Sequence, residues 1–108
     1  MERSDLAIII PAFNEEDTIS KIVKESLKFG DVIVINDGST DKTKLIANNS
    51  GAIVLDNAKV QGYDKTINRG FDYAFKKEYL YVVTLDADGQ HDPKYIPYLI
   101  IMKTSWIR

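Results

Sequence analysis

The chain has 108 residues, 44% hydrophobic and 28% charged, with a formal net charge of −2. That composition suits one small folded domain and excludes a disordered chain. The slight acidity gives no reason to expect a nucleic-acid partner, and the lack of cysteine excludes disulfides and thiolate metal sites.

LAIIIPA (6–12) reads as a buried strand stopped by Pro11, and NEEDTISKIVKESLKFG (14–30) as a helix whose Ile19, Ile22, Val23 and Leu27 fall on one face. DVIVIND (31–37) is a second strand. STDKTKLIANNSG (39–51) follows as a helix, with Ser39 or Thr40 as N-cap and Gly51 past its end. AIVLD (52–56) is a short third strand, and YDKTINRGFDYAFKKE (63–78) a third helix weakened by Gly70. YLYVVTLD (79–86) is the fourth strand. DPKYIPYLIIMK (92–103) reads as a last helix, with Asp92 as N-cap and Pro93 at its first position. No apolar run approaches the ~20 residues of a bilayer span, and no secretory leader pattern opens the chain. A cytoplasmic location is the default expectation, with peripheral membrane contact left open.

Strands alternating with helices indicate βαβ units. The expected fold class is α/β: a Rossmann-like, mainly parallel sheet of about four strands with flanking helices. Ligands of such sheets bind beyond the carboxyl ends of the strands. Those ends carry Pro11-Ala12-Phe13-Asn14-Glu15, Asn36-Asp37-Gly38-Ser39 and Asp86-Ala87-Asp88-Gly89-Gln90, so three aspartates and a glutamate converge on one edge.

Each motif has two readings. Asp86 and Asp88, two apart, suit a hard dication such as Mg²⁺ or Mn²⁺ with Gln90 as a further oxygen ligand; equally, they suit a solvated turn. An EF-hand fails, because His91 and Pro97 stand where glycine and glutamate are required. A strand-end nucleophile, Asp37 or Asp86, stays open. Asp37 suits a ribose or base contact, or a simple helix start. Asn14 and Glu15 suit helix capping, and Glu15 also a ribose hydroxyl.

Taken together, IPAFNEEDTI, VINDGSTDKT and TLDADGQHDP resemble the family-two glycosyltransferases of the GT-A fold, in particular the polyprenyl-phosphate (dolichol-phosphate) mannosyl- or glucosyltransferases. The resemblance runs from about residue 6 to about residue 100. It implies that Pro11, Ala12, Asn14 and Glu15 line a nucleotide pocket and that Asp37 contacts the base or ribose. It further implies that Asp86 and Asp88 form a metal-binding D-x-D beside the nucleotide, with Gln90 as the added ligand. The implied reaction is inverting hexosyl transfer from a UDP- or GDP-hexose, with Mg²⁺ or Mn²⁺, to a polyprenyl phosphate. No residue is marked as catalytic.

Two departures stand out. In VQGYDKTINRGFDYA, Asp64 replaces a glycine and Lys65 a small residue of the family's glycine-rich stretch. The chain is also short for the family, so residues 1–108 are expected to be the nucleotide-sugar-binding half of a truncated GT-A domain. Three outcomes are open: an active enzyme completed by self-association into a homo-oligomer, a non-catalytic nucleotide-binding module, or a receiver- or phosphatase-like α/β domain.

Overall fold

The computed structural model describes residues 4–88, 92–94 and, as strand backbone, 102–103. Five strands, β1 (Leu6–Ala12), β2 (Asp31–Asp37), β3 (Ile53–Asn57), β4 (Tyr81–Thr84) and β5 (Met102–Lys103), form one sheet in the order β3-β2-β1-β4-β5. The first four are parallel, and β5 runs antiparallel to β4. Between them lie α1 (Ile19–Ser26), α2 (Thr43–Asn49) and α3 (Tyr63–Lys76).

The layers follow from the handedness of crossovers. The chain steps outward from β1 to β2 to β3 through α1 and α2, then returns through α3 to β4 on the other side of β1. Right-handed connections travelling in opposite directions place their helices on opposite faces. Ile8 and Ile10 accordingly pack with Ile19, Ile22, Val23 and Ala47 on the α1/α2 face. Ala7, Ile9, Ile33 and Ile35 pack with Ala74 and the half-buried Ile67 and Phe71 on the α3 face. β1 is covered on both faces, which is why its sequence is a continuous apolar run rather than an alternation.

Gly70 belongs to this packing. A Cβ there would lie 2.3 Å from Ile9 Cγ2 and 3.0 Å from Ile35 Cδ1. The glycine that weakens the helix locally is what lets α3 approach the sheet.

The strand order also discriminates between fold types. A receiver-like domain has the order 2-1-3-4-5. Here β3 lies beyond β2, and β4 lies beside β1, which is the Rossmann-type arrangement and removes the receiver alternative.

Several elements differ from the sequence expectation. α1 begins at Ile19 and α2 at Thr43, each about a turn later than periodicity suggests, because the intervening side chains bond across to other loops. Neither Ser39 nor Thr40 caps α2. Ser39 Oγ accepts from the Asn14 N–H (2.9 Å) and the Thr40 N–H donates to Asn14 Oδ1 (2.8 Å). Asp92 does act as a cap, accepting from the Lys94 N–H at 3.0 Å. The helix expected over 92–103 does not extend to its end, since Met102 and Lys103 pair with Val82 and Tyr81. The open edge of β4 offers unpaired backbone groups that a returning segment can satisfy, a force that helical periodicity does not register. Residues 95–101 of that expected helix lie outside the described residues.

Candidate functional site

The order β3-β2-β1-β4 reverses direction between β1 and β4. Connections leaving these two strands diverge there, which opens a crevice at their carboxyl ends. A cleft of about 310 Å³ occupies that place. Of the residues singled out from sequence, Pro11, Ala12, Glu15, Asp37, Asp86 and Asp88 line it. Phe13, Tyr63 and Thr66 line it as well, and the sequence reading missed them. The available signal was position: Phe13 lies inside the first strand-end motif, and Tyr63 opens the helix after the glycine-containing stretch.

Asn14 is not brought into the cleft lining. Its backbone has φ 51°, a left-handed conformation that asparagine tolerates better than most residues. Its Oδ1 accepts from the N–H groups of Thr40 (2.8 Å) and Asp41 (3.3 Å). Around it, Glu15 N–H donates to Thr43 Oγ1 (2.8 Å) and Lys42 N–H to a Glu16 carboxylate oxygen (2.9 Å). Glu16 N–H donates to Asp41 at 3.3 Å. The loops after β1 and β2 are thus stapled together, which fixes the backbone of Glu15 beside the cleft. Asp41 closes the staple by accepting from both the N–H and the hydroxyl of Thr43.

Asp37 is buried, and its carboxylate is crowded with donors. Asn57 Nδ2 (2.9 Å) and the Gln61 N–H (2.7 Å) reach one oxygen, and the Gly62 N–H (3.1 Å) reaches the other. Gly62 is the N-cap of α3, at φ 94°, so the carboxylate sits where the helix's unpaired N–H groups and positive end are found. Burial pushes the Asp37 pKa up, but hydrogen bonds from Asn57, Gln61, Gly62 and Thr66 outweigh it and hold the carboxyl below its ordinary value. Gly38, at φ +71°, makes this turn feasible, because a Cβ there would lie 2.7 Å from the Val60 backbone nitrogen.

Asp86 and Asp88 sit differently. Asp86 is half-buried and Asp88 exposed, both past the end of β4. Their charge is felt by their neighbours. The Glu15 pKa is raised first by burial and then by Asp88, and the Tyr63 pKa first by desolvation and then by Asp86. Thr18, the N-cap residue of α1, donates its hydroxyl to the Ala87 carbonyl and ties the β4 tip to the first helix.

The cleft's described acidic groups are carboxylates, Glu15, Asp37, Asp86 and Asp88, and carboxylate oxygens suit a hard dication. Among the described residues no three His, Cys, Asp or Glu side chains gather so as to hold a metal ion by themselves. Mg²⁺ commonly takes one or two carboxylates and completes its shell with water and substrate phosphates. Gln90, the third expected ligand, lies outside the described residues, as does His91.

A larger groove of about 640 Å³ runs past Asp17, Lys21, Glu25 and Lys28 to Asp88 and Asp92. Its walls alternate in charge along and beyond α1, as a solvated helix surface does, and it lacks the converging strand tips of the smaller cleft. Among the described residues no helix is long and apolar enough to cross a membrane.

The fold and site therefore define a doubly wound α/β domain with an acidic cleft at its switch point. The chain belongs to glycosyl transferase family 2, whose family model matches residues 7–101. It is 35% identical over 96 residues to an uncharacterised protein of Methanocaldococcus jannaschii, covering 87% of this chain and 40% of that protein. It is 28% identical to the polyprenol monophosphomannose synthase of Mycolicibacterium smegmatis, covering 86% of this chain and 38% of the relative. Among solved structures, glucosyl-3-phosphoglycerate synthase of Mycobacterium tuberculosis, in complex with Mn²⁺, UDP-glucose and phosphoglyceric acid, superposes with a TM-score of 0.74 at 27% identity. That match covers 90% of this chain and 38% of the synthase. The sheet and its flanking helices thus have the GT-A arrangement. The chain thus spans about 40% of the length of these two curated relatives.

Proposed function

We propose that the cleft binds a nucleotide-diphosphate sugar together with Mg²⁺ or Mn²⁺, and that residues 1–108 act as the nucleotide-sugar-binding half of an inverting hexosyltransferase. The observation that carries the reading is the meeting of Glu15, Asp86 and Asp88 in one cleft at the β1/β4 switch point. Support also comes from the synthase crystallised with Mn²⁺ and UDP-glucose, which shares the fold.

Asp86 and Asp88 would hold the dication, with Gln90 as a further ligand. A bound dication supplies Lewis-acid stabilisation of the negative charge that develops on a departing nucleoside diphosphate. Pro11 and Ala12 form the wall of the cleft at the β1 tip. Glu15 faces the donor from the loop that Asn14 fixes, so Asn14 serves the nucleotide through its backbone and its staple. Asp37 has little acceptor capacity left, and its service to a base or ribose comes chiefly through the α3 N-terminus and Tyr63, which it positions. Phe13 is 47% exposed and Tyr63 59% exposed, and they give the cleft an aromatic rim.

The acceptor we favour is a polyprenyl phosphate, following the polyprenol monophosphomannose synthase among the relatives. A phosphate acceptor is already anionic and needs no general base. Calorimetry with UDP and GDP, with and without Mn²⁺, tests the reading. Nucleotide binding that requires the metal and disappears in Asp88→Ala is the expected result. Metal-independent binding that Asp88→Ala leaves intact would overturn it. Transfer of labelled hexose to a lipid phosphate, compared between UDP- and GDP-linked donors, then identifies the base.

A further inference from the structure

Lys65, which departs from the family's small residue, does not line the donor cleft. It opens instead on a separate depression of about 380 Å³ lined by Asp56, Asn57, Ala58, Gln61, Lys65 and Arg69. Lys65 and Arg69 are four residues apart in α3, so they share one helical face. Like charges at that spacing disfavour the helix slightly, so helix stability does not explain the pair.

The acid within the depression is committed elsewhere. One Asp56 carboxylate oxygen accepts from Asn36 Nδ2 at 2.8 Å, and the other pairs with Lys44 Nζ at 3.1 Å. Among the described residues no carboxylate pairs with Lys65. Arg69 is held in place by neutral acceptors: its Nη1 donates to the Asp56 carbonyl (2.8 Å) and to Asn57 Oδ1 (2.7 Å). The guanidinium is therefore oriented by neutral acceptors; its charge also bears on the Asp56 carboxylate, whose pKa it helps to lower, and these two bonds leave its other N–H donors unused.

We propose that this depression is a second anion site, in which Lys65 and the pre-oriented Arg69 bind a phosphate group. A fixed guanidinium fork with a mobile ammonium one turn away matches a tetrahedral oxyanion. The phosphate group can be carried by a soluble phosphomonoester or by a lipid headgroup. The site is distinct from the donor cleft. Asn57 stands between them, donating to Asp37 on the cleft side and accepting from Arg69 on this side.

Amide chemical-shift titration with inorganic phosphate, without nucleotide or dication, tests the site independently of the nucleotide reading. Saturable shifts centred on residues 56–69 are expected, with affinity about tenfold weaker in Lys65→Glu, the scale of one charge-assisted hydrogen bond. Lys76→Glu makes the same charge change at the solvated end of α3, where Lys76 pairs with Asp72 at 2.9 Å. It should shift phosphate affinity by less than about twofold. Equal weakening in both variants, or shifts that do not saturate, would overturn the proposal. Co-sedimentation with phosphatidylcholine vesicles containing phosphatidic acid separates the two sources. Sedimentation that Lys65→Glu abolishes assigns the site to a headgroup; saturable phosphate binding without sedimentation assigns it to a soluble phosphomonoester. Absence of both phosphate binding and sedimentation would refute the site.

Discussion

β2 ends in Asp37, and the turn just past β4 carries Asp86 and Asp88, yet these aspartates do opposite work. Asp37 is buried under donors from Asn57, Gln61 and Gly62, and its charge is consumed within the protein. Asp88 is exposed, and together with Asp86 it raises the pKa of the groups around it. A carboxylate whose lone pairs are filled organises structure. One that leaves its field acting on its neighbours is suited to recruit a ligand. The residue type is the same; Asp37 is buried and Asp88 exposed, and that difference in burial separates the roles.

The first way to break this contrast is to remove each charge. Asp88→Ala should lower metal-dependent nucleotide affinity by about a hundredfold or more while leaving the thermal midpoint nearly unchanged, because an exposed side chain contributes little to folding. Calorimetry and a melt on the same sample check both halves. Asp37→Ala should do the reverse first. Stranding the buried Asn57 amide and the part-buried Gln61 and Gly62 N–H groups should cost about 2–3 kcal/mol of stability, read by urea denaturation. It should weaken nucleotide binding more than metal binding. An Asp37→Ala protein of unchanged stability would erase the distinction drawn here.

Gly70→Ala tests the packing that brings α3, and with it Tyr63, to the cleft. Its new methyl would overlap Ile9 Cγ2, and overpacking of this kind costs about 1–3 kcal/mol. Wild-type stability in that variant would show that the helix shifts freely. Acid sharpens the comparison further. The folded pKa of Asp37 lies below its ordinary value of 3.8. Its contribution is therefore complete above the unfolded value, near ~4, and is lost as pH falls through the lower folded value. Asp37→Asn should flatten the fall of the urea midpoint below about pH 4. Asp56 and Asp41 are shifted in the same direction, so part of the slope should remain. The smallest effect is expected from Asn14→Ala, about 1 kcal/mol, with a modest loss of nucleotide affinity as the Glu15 loop is released.

Much of this architecture can be read from residue order alone. β1 and β2 have the expected bounds, because a strand covered on both faces writes itself as an apolar run. β3 is displaced by a single residue. The cleft was legible to the extent that strand ends in a doubly wound sheet share one edge, which brought Glu15, Asp37, Asp86 and Asp88 together before any coordinates. What stayed hidden was long-range. The Asp37 donors lie 20 to 25 residues away, and Asn14 bonds to residues 25 to 27 positions on. Local patterns therefore assigned these side chains to capping or to ligand contact. Phe13 and Tyr63 escaped because an aromatic residue looks the same in sequence whether it packs a core or rims a cleft. Pairing of β5 with the β4 edge is likewise a tertiary event, and a helical pattern over 92–103 cannot reveal it.

The account depends on the β4 tip holding a dication, and paramagnetic broadening by Mn²⁺ examines that directly. Substoichiometric Mn²⁺ should erase the amide signals of Glu15, Asp86 and Asp88 first, while those of Asp31 and Tyr79, joined by a 2.7 Å hydrogen bond at the amino end of the sheet, persist. Broadening that begins at another acidic cluster, or that survives Asp88→Ala unchanged, would contradict the assignment.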